Sequence, residues 1–148
     1  MKNYAQTSIK TTPKNKIKNM KWTAEQILIF ISALILFGLG SWLFINPFML
    51  NEMGIMLETP TARIDARATY GGFDIGIGVF LFAALMKPHW HRIALVVAGC
   101  AIGGFGLGRI GGIAIEGGGE PLMWIFFAIE LAMVIAIVTV LKKETPSR

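Results

Sequence analysis

The chain has 148 residues, 54% hydrophobic and only 16% charged, with a mean hydropathy of +0.60. A soluble domain of this size carries about 25% charged residues, so an ordinary soluble fold is excluded and a single membrane domain is indicated. The net charge of +5 does not signal a nucleic-acid binder: six lysines precede residue 22 in a tail joined to an apolar run, and no basic face on a recognisable nucleic-acid fold is visible.

Residues 1–21, "MKNYAQTSIKTTPKNKIKNMK", are polar and lysine-rich, which predicts a disordered basic tail drawn to anionic headgroups. "ILIFISALILFGLGSWLFINPFML", residues 27–50, carries no charge. It is longer than the roughly 7–15-residue core of a secretory signal and lacks a small-residue cleavage site. A retained first span at about 24–46 is expected, ended by Asn46-Pro47 because proline disfavours helix in the residue before it. Residues 47–67 read as a mixed-charge connection holding Glu52, Glu58, Arg63, Asp65 and Arg67.

The second span is expected at about 68–87. "KPHWHR", 87–92, is a tight basic turn, and a third span follows at about 92–115. "EGGGEP", 116–121, is a short acidic loop; the fourth span covers about 122–141, and 142–148 form a closing tail. The membrane domain is thus 22–141. Cys100 is the only cysteine, within "VVAGCAIGG", and reads as a small packing residue with no disulfide partner. With four spans, the N-tail, the second loop (Lys87, Arg92) and the C-tail (Lys142, Lys143, Arg148) share one side. The positive-inside rule makes that side cytoplasmic. The fold class expected is therefore all-α, an integral membrane four-helix bundle with both termini inside.

Ionisable residues are costly in such spans, about 2.5–3.5 kcal/mol each at a helix centre. Helix rise puts Asp74 about 8 Å, Arg109 about 9 Å and Glu130 about 13 Å from their outer ends, all in the outer half. Signs alternate, with Arg67 and Asp74 on span two, Arg109 on span three and Glu130 on span four. One shared cluster lowers the cost of every member, so one is expected. Arg67, Tyr70, Gly71, Asp74 and Gly78 fall on one α-helical face, aiming cation, phenol and carboxylate at the interior. The candidate ligand-binding residues are Arg67, Tyr70, Asp74, Arg109 and Glu130. The alternative is a structural clamp that binds nothing.

Gly104, Gly108 and Gly112, and Gly72 with Gly76, form small-xxx-small faces for close helix packing; Gly71 leaves room beside Tyr70. "GGFDIG" at 71–76 echoes "GGFGLG" at 103–108, a similarity short enough for chance. "GLGRIG", 106–111, matches G-x-G-x-x-G but lies inside an apolar helix without the strand of a dinucleotide fold. His89 and His91 lack companion ligands and read as interfacial loop residues. No catalytic residues, no metal set and no cofactor site are read from the sequence.

The pair of segments "DARATYGG" at 65–72 and "GLGRIGG" at 106–112 resembles a bacterial membrane family known as domain of unknown function 4345. That family's pattern has an acid-x-R-A-x-Y-G-G segment opening the second span, a G-R pair late in the third and an acid in the fourth. Asp65, Arg67, Tyr70, Gly71, Gly72, Gly108, Arg109 and Glu130 fill those positions, Asp65 standing where glutamate is more frequent. The resemblance covers about residues 25–141 and omits the lysine tail. The architecture is also similar to the wider group of small DoxX-like four-helix proteins. The resemblance implies a four-span fold and no established activity.

The sequence leaves three functional readings. The first is a small multi-pass protein of the bacterial inner membrane whose polar cluster binds or passes a small molecule, such as a lipid headgroup, quinone or proton-linked solute. There the arginines hold an anionic or carbonyl group, Tyr70 donates a hydrogen bond, and Asp74 or Glu130 carries a proton. The second is an accessory or scaffold subunit whose glycine face docks a membrane partner or a second copy as a homo-dimer. The third, an intramembrane enzyme, ranks last because no nucleophile or metal set accompanies the acids. The bilayer itself is the one partner common to all, and nucleic acid is none of them.

Overall fold

A computed structural model describes residues 22–143; the predicted tail at 1–21 and residues 144–148 lie outside the described residues. Among the described residues every regular element is helical, and four helices are long and apolar enough to cross a membrane. They are α1 (Ala24–Ile45), α2 (Pro60–Leu85), α3 (His91–Ile115, preceded by the 3₁₀ turn Pro88–Trp90) and α4 (Pro121–Lys143). Two α-helical segments, Pro60–Ala66 and Phe73–Leu85, make up α2, joined without a break by a π-helical stretch, Arg67–Gly72.

Local chemistry sets the boundaries. Thr23 and Gln26 form a capping box, each side chain accepting the other's backbone N–H at 3.3 and 3.0 Å, which satisfies two of the free donors of α1. Pro47 forces Asn46 out of the helical region, to φ −124° and ψ 78°, and α1 stops. The return is ordered: a 3₁₀ helix spans Pro47–Met53 and ends at Gly54, whose φ of +81° is left-handed. Leu43, Leu50, Leu57 and Ala66 cluster beneath it. Arg63 Nη1 donates to the carbonyls of Leu57 and Glu58 at 3.3 and 3.1 Å.

The second helix begins at Pro60, ahead of the span expected from 68. Thr59 caps it, its hydroxyl accepting the Ala62 N–H at 3.1 Å. Thr-Pro is a strong start signal, but the charges at 63, 65 and 67 mask it in a hydropathy reading. At the far end of α3, Gly117 takes φ +74° and Gly118 N–H bonds back to Ile113 at 3.0 Å, a Schellman closure that frees the short loop to α4.

The tightest packing joins α1 and α2. A Cβ added at Gly78 would lie 2.6 Å from Phe37 Cβ, at Gly71 2.8 Å from Phe44 Cβ, and at Gly40 2.8 Å from the Gly71 carbonyl oxygen. The seam therefore requires glycine at these three positions. The main core lies toward the other end, where Ile29, Ala33, Leu81, Leu95, Ala98 and Ile137 are buried together. Helix α4 docks chiefly on α3, with Ile137 its one buried residue. Its remaining apolar surface is open, as suits a helix facing acyl chains. Cys100, expected as a packing residue, is exposed instead.

Charge divides the molecule. The basic end carries Lys87, Arg92, Lys142 and Lys143, with Glu25 as its one described acid. The opposite, acidic end carries Glu52, Glu58, Asp65, Glu116 and Glu120 with Arg63 and Arg67.

Candidate functional site: an ion pair between α3 and α4

Gly106 is buried on α3 against Glu130 of α4: a Cβ there would sit 3.5 Å from Glu130 Cβ. The missing side chain leaves room for the glutamate to lie along α3. Arg109, almost one turn further on, reaches it with a two-pronged contact. Nη2 donates to Oε1 at 2.9 Å and Nε to Oε2 at 3.2 Å. This fork geometry is the strong form of a charge-assisted pair. The guanidinium lies 5.1 Å from the Phe126 ring centroid, and Nη1 points at Met123 Sδ at 3.4 Å. Arginine carries five N–H donors, so part of the guanidinium's donor capacity is not taken up by these contacts.

Two clefts flank the pair. One, of about 220 Å³, is almost wholly apolar and is lined by Gly103, Gly106, Leu107, Phe127, Glu130 and Val134 among others. The other, of about 290 Å³, lies toward the acidic end and includes Gly108, Arg109, Gly112, Glu116 and Met123 in its lining. Glu130 thus borders the first and Arg109 the second.

The remaining candidates go elsewhere. Arg67 Nε donates to the Phe44 carbonyl at 2.9 Å. Phe44 lies in the last turn of α1, where carbonyls have no helical partner and the helix dipole favours a cation. Gly71 makes this reach possible by letting α2 approach Phe44. Asp74 is 3% exposed, packed against Gly40, and its Oδ1 has no hydrogen-bond partner. Tyr70 is 38% exposed. Among the described residues Arg109–Glu130 is the ion pair between lysine or arginine and an acid, and Glu25 lies beside the His91 ring. The single cluster expected from the sequence is therefore divided: Arg109 and Glu130 meet between α3 and α4, while Arg67 and Asp74 are turned to α1.

A π stretch also breaks the register within α2. The Phe73 N–H bonds the Ala68 carbonyl, five residues back, so the turn is wider than α and shifts the phase of the helix beyond it. Gly71, Asp74, Gly78 and Leu81 are buried, Arg67 is half-buried where it reaches Phe44, and Tyr70 is exposed. No residue pattern marks this stretch as π-helical.

Two further features escaped sequence reasoning. His91 is not an exposed loop residue: it is 6% exposed, with Nδ1 3.6 Å from Glu25 Oε2 and Nε2 3.4 Å from the Leu85 carbonyl oxygen. It ties together the basic ends of α1, α2 and α3. His89 lies in the exposed turn beside Trp90. No group of three or more histidine, cysteine or acidic side chains is placed to hold a metal among the described residues. The glycines also divide. Gly71 is in tight contact, and Gly72 has its nearest neighbour, the Arg67 carbonyl oxygen, at 3.6 Å. Gly76, Gly104, Gly108 and Gly112 meet nothing within 4 Å. The paired partners of α3 and α4 are Gly99, Gly103 and Gly106, facing Ile137, Val134 and Glu130.

No curated protein and no solved structure matches the chain. Residues 24–141, the four helices almost in full, match the family model described as Domain of unknown function (DUF4345), and the chain belongs to that family.

Proposed function

We propose that this protein is a multi-pass protein of the bacterial cytoplasmic membrane, with both termini inside, that binds a small molecule or lipid beside the Arg109–Glu130 pair. The observation that carries the reading is the placement of that pair. A forked ion pair is held in the acidic half of an apolar bundle, with one partner bordering each of two clefts. Intramembrane charges that line cavities mark ligand pathways more often than they mark packing. Orientation is supported by the basic end, which would face the cytoplasm.

Native mass spectrometry of gently extracted protein tests this. Wild type should carry a bound small molecule, and Arg109→Lys, which keeps the charge but loses the fork, should carry less. Folded wild type that is free of any adduct would reject the reading.

A second reading has its own support. Arg67 donates to a carbonyl of α1, as a charge that fixes helices would, and Gly104, Gly108 and Gly112 leave an open face on α3. On that reading the protein is an accessory subunit whose glycine face meets a membrane partner or a second copy. Gly104→Leu, at a position that lines neither cleft, would then abolish partner recovery while leaving ligand retention intact.

A further inference from the structure

We infer that the two clefts are the tail half and head half of one phospholipid site, selective for a phosphoethanolamine headgroup; this rests on the proposed ligand-binding role. The order of the clefts along α3 carries the argument. On α3 the almost wholly apolar one is lined by residues 103–107, and the one with more polar lining by residues 108–119, which include Arg109 and Glu116. From Gly103 to Glu116 the helix rises about 20 Å, running from the bundle middle to its acidic end. A membrane amphiphile has the same polarity, with its chain toward the middle and its head toward the surface. Gly108 and Gly112 have open space where side chains would stand, so a headgroup can lie against bare helix backbone.

Charge selects the head. The Arg109 donors that Glu130 leaves free suit a phosphate oxygen. Glu116 lies seven residues on, as the residue that caps the C-terminal end of α3 with its backbone still in the right-handed region, which keeps it near the same face. It is exposed, lines the same cleft, and has no ion-pair partner among the described residues. An ammonium group beyond the phosphate meets this carboxylate. A headgroup carrying only negative charge would face Glu116, and Glu130 beyond Arg109, with no cation of its own to offset them.

The test offers delipidated full-length protein an equimolar mixture of phosphatidylethanolamine and phosphatidylglycerol and weighs what is retained by native mass spectrometry. Phosphatidylethanolamine should be retained about threefold over phosphatidylglycerol, the scale of one exposed charge contact. Glu116→Gln, at an exposed helix end, should fold normally and bring that ratio to about one. Glu120→Gln, an equal charge change outside the cleft lining, should leave the preference in place. Equal or greater retention of phosphatidylglycerol by wild type, or an unchanged ratio in Glu116→Gln, would overturn the headgroup assignment while the binding site stands. Retention of neither lipid nor any other small molecule would remove the site as well.

Discussion

Arg109 and Glu130 depend on each other because neither has a second charged partner among the described residues. Arg109→Leu leaves a carboxylate alone in an apolar setting, and the expected loss is about 2 kcal/mol of stability, below that of a fully buried pair because this one is only partly buried. Arg109→Leu with Glu130→Leu should recover most of that loss, since an apolar pair of similar bulk needs no partner. Unfolding in mixed micelles reads both; equal losses in the single and double variants would contradict the pairing. Arg67→Ala is a milder change. It removes one cation from a helix C-terminus, and unfolding should become easier by about 1 kcal/mol. An unchanged midpoint would show that the Phe44 carbonyl does not need it. A charge cluster was legible in the sequence because lone charges in apolar helices must find opposites, but the choice of Glu130 for Arg109 was not, since helix rise puts Asp74 nearer its depth. The fate of Arg67 was not, because its partner is a backbone carbonyl that residue identity does not mark.

Helix packing depends on which glycine faces are covered, and spacing alone does not say. The steps at 104, 108 and 112 satisfy small-xxx-small, yet they open onto empty space, while Gly40, Gly71 and Gly78 carry the closest helix approach. Gly78→Ala should therefore cost about 1–3 kcal/mol, because the new methyl meets Phe37 backbone as well as side chain. Gly104→Ala should stay within about 0.5 kcal/mol of wild type. Thermal unfolding of the two variants side by side checks this, and similar midpoints would place the tight seam elsewhere. The π stretch explains why the helical wheel of α2 was only half right. Gly71, Asp74 and Gly78 share the buried face as a 3.6-residue period requires, but within the widened turn Tyr70 comes to the exposed side and Arg67 stays half-buried against Phe44.

At the scale of the molecule, four apolar helices with charge segregated to opposite ends were legible from hydropathy and loop composition alone, because the bilayer constrains length and polarity so strongly. The order within the acidic end was not: Thr59, Pro60 and Arg63 build structure where a mixed-charge run reads as a connection. The positive-inside expectation is tested by single cysteines in a Cys100→Ser background. Glu120→Cys, exposed in the loop between α3 and α4, should react with an impermeant maleimide added outside intact cells, and His89→Cys only after lysis; the reverse pattern would invert the topology. The central claim, that Arg109 and Glu130 form one pair bordering a ligand site, is tested most directly by exchanging them. Each single charge reversal, Arg109→Glu or Glu130→Arg, should lower folded yield by setting like charges together. The double exchange should restore folded yield while the small molecule carried by wild type is lost, because the cation has moved from the polar cleft. A double exchange no more stable than the single reversals would contradict the pairing, and one that keeps the bound molecule at wild-type level would reduce the pair to a clamp.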